Sequence, residues 1–406
     1  MGEIINWMGG WPKEGLLAAA DWESRLAEAD APAESSGRGK AGPAETARLR
    51  ELLAEAGLLR LSAPEAAGTT EADGTTGGTG AGRAAGGAAS AASAGAAASR
   101  QPEFVVAAGA DAALERVARL WLQPGDAVLV ESPTSRSALQ TFRKAGVVPH
   151  PVAGDRYGML PEELDHSLAQ LQPRLVYAAP ACTDPEGRSW SEERRNALLR
   201  RCAEAGVPAL LDDRQAALLP EPYPAVPEEL LEAGSVWTIG ELPPGLIGGL
   251  RFGWLALGGL PAEGSESLLE GRGAAAGVPL REQLAVLSWM EDGELGPLLE
   301  TLRFVCRARN GLLAEQLRLR LPDLSWREPQ GGMHLWLSLP EGLDGDALLR
   351  GAWLNGLLFQ PGGAFYAAEP ERGTIRLTAV HSEEKTIRAG VERLAATVEE
   401  FLARWG

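Results

Sequence analysis

The 406-residue chain contains few residues that bind metals, form disulfides or act as nucleophiles, with three cysteines, four histidines and four lysines. Cys182, Cys202 and Cys306 are odd in number and widely spaced, which excludes a disulfide scaffold and a thiolate zinc site. The histidines show no metal-ligand spacing, so no metal site is predicted. Chemistry that needs an amine has four candidates: Lys13, Lys40, Lys144 and Lys385.

Positive charge is also scarce, because 38 Lys and Arg face 55 Asp and Glu and give a formal net charge of −17. Such a chain has no general attraction to a phosphate backbone or to anionic lipid, so we expect no nucleic-acid partner and no membrane association. No stretch of about eighteen residues is apolar and free of charge, and the first residues do not resemble a signal peptide. A cytoplasmic protein is expected.

Residues 67–100 consist almost wholly of Gly, Ala, Ser and Thr. This composition offers little apolar surface to offset the entropy of ordering the backbone, so a disordered insertion is predicted. Gly78, Gly80 and Gly82 nearly match a dinucleotide-binding fingerprint. No strand precedes them, however, and a glycine-rich tract produces such spacing by chance.

Short apolar runs alternate with helical patterns between residues 101 and 278. Strands are predicted at 104–107, 127–130, 175–179, 208–211, 236–239 and 252–257. Short apolar strands separated by helices are typical of a parallel sheet covered on both faces. From 279 to 406 the pattern changes to a long helical stretch through Leu319, an alternating strand and a terminal helix. This mixture predicts a second, smaller α+β domain.

Eight landmarks then occur in a fixed order. They are Ala108–Ala110, Leu122–Asp126 with Val130–Thr134, Leu175–Pro180, Leu211–Asp213, Gly249–Trp254, Gly331–Trp336, Gln360–Gly363 and Ile375–Leu377. Together they resemble the fold-type-I pyridoxal-phosphate (PLP) aminotransferases of class I and II, most closely the aminotransferase-like domain of MocR-type regulators.

The resemblance implies an α/β fold. Its large domain (101–278) would be PLP-transferase-like, with a mostly parallel sheet sandwiched by helices, and its small C-terminal domain (279–406) would be α+β. Residues 1–66 would form the N-terminal segment of the same fold. A homodimer is expected, and the winged helix of the regulators is expected to be absent.

The family holds its cofactor as a Schiff base on a lysine, whose amine then moves the proton between substrate and cofactor. The family segment Ser-Lys-Thr-Leu-Ala-Pro-Gly-Leu-Arg aligns without gaps with residues 243–251, which puts Pro244 at the lysine position. Proline has no side-chain amine. We therefore predict no catalytic residue here, and either no cofactor or weakly bound PLP.

The resemblance also assigns the other site positions. The cofactor-binding positions are Gly109, Ala110, Asp184, Asp212, Gln215 and Arg251, and the substrate-binding position is Arg376. Asp184 replaces an asparagine that donates to the cofactor ring oxygen, and Gln215 replaces a tyrosine. Asp111 adds a carboxylate at the helix start where the family binds phosphate.

Three of these positions keep the family residue, and the first two allow two interpretations each. Asp212 either contacts a ligand or bonds a turn. Arg251 needs a partner, which is either a ligand or a carboxylate of the chain, Asp212 or Asp184. Arg376 is the best candidate to hold a carboxylate with its two-pronged guanidinium.

Three functions follow. The first is a catalytically degenerate aminotransferase-like protein that keeps a pocket for a small anionic or amino-acid ligand. The second is an active PLP-dependent aminotransferase that uses an unaligned lysine, for which Lys13 is the candidate. The third is an effector-sensing module derived from a MocR-type regulator, with DNA contact supplied by another protein.

Overall fold

A computed structural model describes residues 3–13, 17–33, 42–61, 102–259, 261–270 and 277–405. The predicted insertion at 67–100 lies outside these ranges. The strands are β1 (Ile5–Asn6), β2 (Glu103–Ala107), β3 (Ala127–Val130), β4 (Val148–Pro151), β5 (Gly154–Asp155), β6 (Gly158–Met159), β7 (Leu175–Ala178), β8 (Ala209–Asp212), β9 (Ser235–Glu241), β10 (Gly253–Gly259), β11 (Ser325–Trp326), β12 (Leu335–Ser338), β13 (Leu357–Leu358), β14 (Gln360–Pro361) and β15 (Thr374–Leu377).

The helices are α1 (Ala19–Ala33), α2 (Pro43–Glu55), α3 (Ala110–Leu120), α4 (Arg136–Lys144), α5 (Pro161–Leu171), α6 (Glu192–Ala205), α7 (Glu228–Ala233), α8 (Glu266–Glu270), α9 (Leu280–Glu291), α10 (Leu295–Arg320), α11 (Gly345–Leu354) and α12 (Glu384–Trp405). Within the described ranges, no helix is both long enough and apolar enough to cross a membrane.

A seven-stranded sheet in the order β2-β10-β9-β8-β7-β3-β4 forms the centre of the fold. The five strands β9, β8, β7, β3 and β4 run parallel to one another. Strand β10 is antiparallel to its two neighbours, β9 and β2. The predicted α/β class with a mostly parallel sheet is confirmed. Because β3, β7, β8 and β9 are parallel, their carboxyl ends meet at one edge of the sheet.

Helices cover both faces of this sheet. On one face, α3 and α4 pack through buried residues such as Leu114, Val117 and Phe142. On the other face, α2, α6, α9 and the first half of α10 contribute to the largest apolar core, which includes Trp289 and Leu299.

A second apolar core surrounds a four-stranded sheet in the order β11-β12-β15-β14. It contains the second half of α10, beginning at Leu313, together with residues of α11 and α12. Helix α10 therefore runs from the first core into the second. The domain boundary at residue 279 stays a prediction.

The long helical stretch predicted through Leu319 is two helices, α9 and α10. The backbone turns at Asp292 and Gly293, where Gly293 has φ of 77°. A positive φ is readily adopted by glycine and often ends a helix. The hydrophobic pattern continues across the break, which is why the sequence periodicity predicted a single helical stretch.

The N-terminal segment is fixed to the second core. Strand β1 pairs in parallel with β13, and Trp7 is fully buried with its Nε1 donating to Ser382 Oγ at 3.2 Å. A Cβ at Gly390 of α12 would lie 2.2 Å from the Trp7 ring. Trp7 can therefore pack at this position only because residue 390 is glycine and has no side chain.

We expect Gly390→Ala to destabilise the fold by about 1–3 kcal/mol, because the added methyl group overpacks the Trp7 site. Gly311→Ala in α10 is the matched control, since a Cβ there meets nothing within 4 Å. That control should raise stability by up to about 1 kcal/mol through helix propensity. Urea unfolding measures both, and equal effects would contradict the proposed packing.

Candidate functional site

The site forms where β7, β8 and β9 end. Asp212 is the last residue of β8 and is buried, and its Oδ2 accepts a 2.6 Å hydrogen bond from the hydroxyl of Tyr177 on β7. Its Oδ1 accepts from the backbone N–H of Arg214 at 3.1 Å and from Arg214 Nε at 3.0 Å. Arg214 Nη2 lies 2.8 Å from Oδ2. Both oxygens of Asp212 are therefore engaged by neighbouring side chains of the chain itself.

Arg214 joins this strand end to the starts of α3 and α4. Its Nη1 pairs with Asp111 in the first turn of α3 and donates to Ser137 Oγ at 3.1 Å. Burial alone would lower the pKa of Arg214, but the charge of Asp212 and other negative neighbours outweigh burial and hold that pKa well above its usual value. The guanidinium stays charged.

A second ion pair closes the start of α3. Arg251 Nη2 lies 2.8 Å from Oε2 of the buried Glu241, and 3.8 Å from Asp111. The same Oε2 accepts the backbone N–H of Ala110 at 3.1 Å. Gly109, with φ of 91°, precedes α3, and a Cβ there would come within about 3.0 Å of Arg251 and Glu241. Glycine lets the two side chains approach the helix end.

These contacts form one continuous charge network. Its members are Tyr177, Asp212, Arg214, Asp111, Arg251 and Glu241. Burial opposes the ionised form of Asp111, but the neighbouring Arg214 more than compensates, so the pKa of Asp111 is lowered. Burial, followed by the charge of Asp212, raises the pKa of Tyr177 well above its usual value, which keeps the phenol protonated as a donor.

A third ion pair lies beside the network. Arg376 of β15 is buried, its Nη1 donates to Asp184 Oδ1 at 2.6 Å, and its guanidinium lies 4.7 Å from the ring centre of Phe365. A cavity of about 260 Å³ adjoins this pair. It is lined by Arg136, Ser137, Gln140, Asp184, Gln360 and Arg376. Ser137 lines the cavity and accepts a hydrogen bond from Arg214 of the network, so the cavity and the network are neighbours.

Comparison with known proteins finds similarity to aminotransferases. Residues 71–237 match the family model "Aminotransferase class I and II". The aromatic-amino-acid aminotransferase 1 of Thermococcus litoralis is 28% identical over 309 residues, which cover 74% of this chain and 74% of that protein. The chain is therefore similar in sequence to the class I and II aminotransferases.

Two further similarities extend the comparison. The crystal structure of an α-aminoadipate aminotransferase from Thermus thermophilus, complexed with a phosphopyridoxyl-leucine, superposes with a TM-score of 0.75 at 25% identity, over 99% of this chain and 93% of that one. The probable rhizopine catabolism regulatory protein MocR of Rhizobium meliloti is 27% identical over 307 residues, 74% of this chain but 60% of that protein.

The site residues predicted from the aminotransferase resemblance lie in two places in the structure. Gly109, Ala110, Asp212 and Arg251 lie at the charge network, whereas Asp184 and Arg376 form the pair beside the cavity. Gln215, three residues after Asp212 in sequence, is buried, and its Oε1 has no hydrogen-bond partner among the described residues. The structure thus brings six of the seven predicted residues together in two adjoining sites, and Gln215 belongs to neither.

The predicted internal partner of Arg251 was wrong. The sequence suggested Asp212 or Asp184, but Asp212 is taken by Arg214 and Asp184 by Arg376. The observed partner is Glu241, because the antiparallel pairing of β9 with β10 sets Glu241 opposite Gly253, two residues after Arg251.

Three residues of the network, Tyr177, Arg214 and Glu241, were not among the predicted site residues. Glu241 ends the apolar strand β9 and Arg214 lies two residues beyond β8, at places where a charge has to find a partner. Arg214 comes two residues after Asp212, and Glu241 comes three before Pro244. Their position beside the family landmarks was the available signal.

A buried glutamate supports the loop that leads to α4. Glu131 follows β3, and it accepts hydrogen bonds from the backbone N–H of Ala179 at 2.7 Å and from Trp190 Nε1 at 2.9 Å. Burial raises the pKa of Glu131 to about 7. Through its hydrogen bond to Ala179, Glu131 links the carboxyl ends of β3 and β7 at the edge where the site forms.

Arg214→Met should destabilise the protein by about 3–5 kcal/mol, because it leaves the buried charge of Asp212 without its cation. The control is Arg320→Met, which breaks an exposed pair with Glu392 and should cost less than about 1 kcal/mol. Chemical denaturation compares the two. Wild-type stability in Arg214→Met would show that the network does not hold Asp212.

Stability should fall by about 3 kcal/mol between about pH 4.5 and pH 7 through Glu131. The pKa of Glu131 is higher in the folded than in the unfolded state. Its contribution to the free energy of unfolding is therefore complete below the unfolded-state pKa and is lost as the pH rises through the folded-state pKa. The difference in unfolding free energy between wild type and Glu131→Gln isolates this slope. An unchanged slope in Glu131→Gln would contradict the assignment.

Proposed function

We propose that the chain is a catalytically degenerate aminotransferase relative, which forms no Schiff base with PLP and retains a pocket for a small anionic or amino-acid ligand. The observation that carries this proposal is the guanidinium of Arg214 on the carboxylate of Asp212. A protein side chain supplies the positive charge that the family's cofactor would bring to that aspartate.

The ring end of the cofactor does not fit this arrangement. In the family, the aspartate at the position of Asp212 pairs with the protonated ring nitrogen. Here Oδ1 accepts from Arg214, and Oδ2 accepts from Tyr177 and contacts Arg214. A ring nitrogen would have to displace a buried ion pair, which leaves an uncompensated charge behind.

The phosphate end does not fit either. A phosphate dianion at the start of α3 needs free backbone N–H groups and a free arginine. The N–H of Ala110 donates to Glu241, and Arg251 is paired with the same carboxylate. Asp111 adds a further negative charge in the first turn. A dianion would meet two carboxylates and no free cation.

The amine is also missing at the aligned position. Pro244 lies in the turn between β9 and β10, three residues after Glu241. The lysines within the described residues are Lys13, Lys144 and Lys385, and none forms an ion pair with Asp212 there. The absence of both the amine and the free binding groups supports loss of the family chemistry.

The second candidate, an active enzyme that uses Lys13, has one observation in its favour. The N-terminal segment passes the turn that carries Pro244, because a Cβ at Gly245 would lie 3.3 Å from Pro12 O and from Trp11 Cβ. Lys13 is the next residue in the chain, and its side chain is exposed. The engaged Asp212 weighs against this candidate.

The third candidate, an effector-sensing module, is supported by relatives that are named as regulators, among them the MocR protein. Sensing requires a bound effector. The ligand titration described in the next subsection therefore also bears on it, since a chain that binds no small molecule has nothing to sense. The homodimer stays a proposal drawn from the family resemblance, and the cytoplasmic location stays one drawn from the residue composition.

Purified protein mixed with PLP should show no visible absorption band of an internal aldimine that hydroxylamine removes. Absorbance and mass after borohydride reduction measure this, because reduction would fix any Schiff base covalently to a lysine. A reduced adduct on any lysine would refute the proposal. An adduct that is lost in Lys13→Ala but kept in Lys385→Ala would establish the second candidate instead.

A further inference from the structure

The starts of α3 and α4 lie side by side at the site but differ in charge. At α3, Glu241 binds the N–H of Ala110 and Asp111 stands in the first turn. At α4, Ser135 makes no side-chain cap, and the first turn has no acidic residue. The positive end of the α3 dipole is thus neutralised by the chain, whereas that of α4 is not.

The first residue of α4 is itself a cation. Arg136 lines the cavity and has no hydrogen bond or ion pair within the described part of the chain. An arginine at a helix N-terminus is electrostatically unfavourable, because its charge has the same sign as that end of the dipole. An anion in the cavity would be attracted by both.

The opposite wall of the cavity is polar, but its arginine, Arg376, is already paired with Asp184. Arg376 is about nine-tenths buried and is held by Asp184 at 2.6 Å, while its Nε has no hydrogen-bond partner among the described residues. Gln360 Oε1 is buried and also without a partner there. Because Asp184 already holds its guanidinium, Arg376 is not free to bind a ligand carboxylate through both of its nitrogens.

The charges that face the cavity sum to one positive charge, from Arg136 and Arg376 against Asp184. Its volume of about 260 Å³ lies just below the range of roughly 300–1,000 Å³ that is typical of small-molecule sites. Resting on the retained pocket of the proposed function, we propose that Arg136 is the anion anchor of this cavity, and that its ligand is a small carboxylate with one negative charge.

Ser137, Gln140 and Gln360 would then bond the polar body of the ligand. Arg376 acts as a positioning residue, whose charge is neutralised by Asp184 at 2.6 Å. A ligand with two negative charges is disfavoured, since its second carboxylate would meet Asp184 and not a free arginine.

The test is calorimetric titration of the full chain with lactate, succinate and inorganic phosphate. Wild type should bind lactate more tightly than succinate or phosphate. Arg136→Gln should weaken lactate binding by at least about tenfold, because it removes the bidentate charged donor. Arg200→Gln is the control, an exposed arginine of α6 outside the cavity lining, and should leave the affinity unchanged.

Asp184→Asn sharpens the test, because it frees Arg376 and removes the one negative charge of the cavity lining. This variant should reverse the order and bind succinate more tightly than lactate. Unchanged lactate binding in Arg136→Gln, or no detectable lactate binding to wild type, would overturn the assignment, as would a preference for phosphate.

The result is separable from the proposed function. Titration reports on Arg136, whereas the PLP absorbance reports on a lysine adduct. A PLP adduct together with a loss of lactate binding in Arg136→Gln would refute only the degenerate chemistry. No adduct together with unchanged lactate binding in that variant would refute only the anchor.

Discussion

The ion pair between Arg214 and Asp212 is the contact on which the arrangement of the site depends. A carboxylate as buried as Asp212 is tolerated only if its charge is compensated nearby. Arg214 compensates it and, with the same guanidinium, reaches Asp111 and Ser137 at the starts of two helices. One side chain therefore fixes the relative positions of β8, α3 and α4.

The rest of the network follows from this arrangement. With Asp111 directed to Arg214, Arg251 takes Glu241 as its near partner, and Glu241 in turn binds the first N–H of α3. Three carboxylates and two guanidinium groups satisfy one another at the carboxyl edge of the sheet. The charges are consistent as a set, because each one has an opposite charge within reach.

Much of this could be read from the sequence, and the failures have physical causes. The sheet, its helices and the landmark positions depend on local periodicity and spacing, which one chain displays. The partner of Arg251 depends on the β9–β10 register, which a list of landmarks does not contain. The break between α9 and α10 was missed because apolar periodicity persists through Asp292 and Gly293.

The cavity beside Arg376 has a further property that follows from its walls. Arg136, Ser137 and Gln140 belong to a helix packed on the seven-stranded sheet, whereas Gln360 and Arg376 belong to the four-stranded sheet of the second core. A molecule that enters it touches both cores at once. Any change in the angle between the two sheets would open or squeeze that space, so occupancy and the mutual orientation of the cores are mechanically coupled.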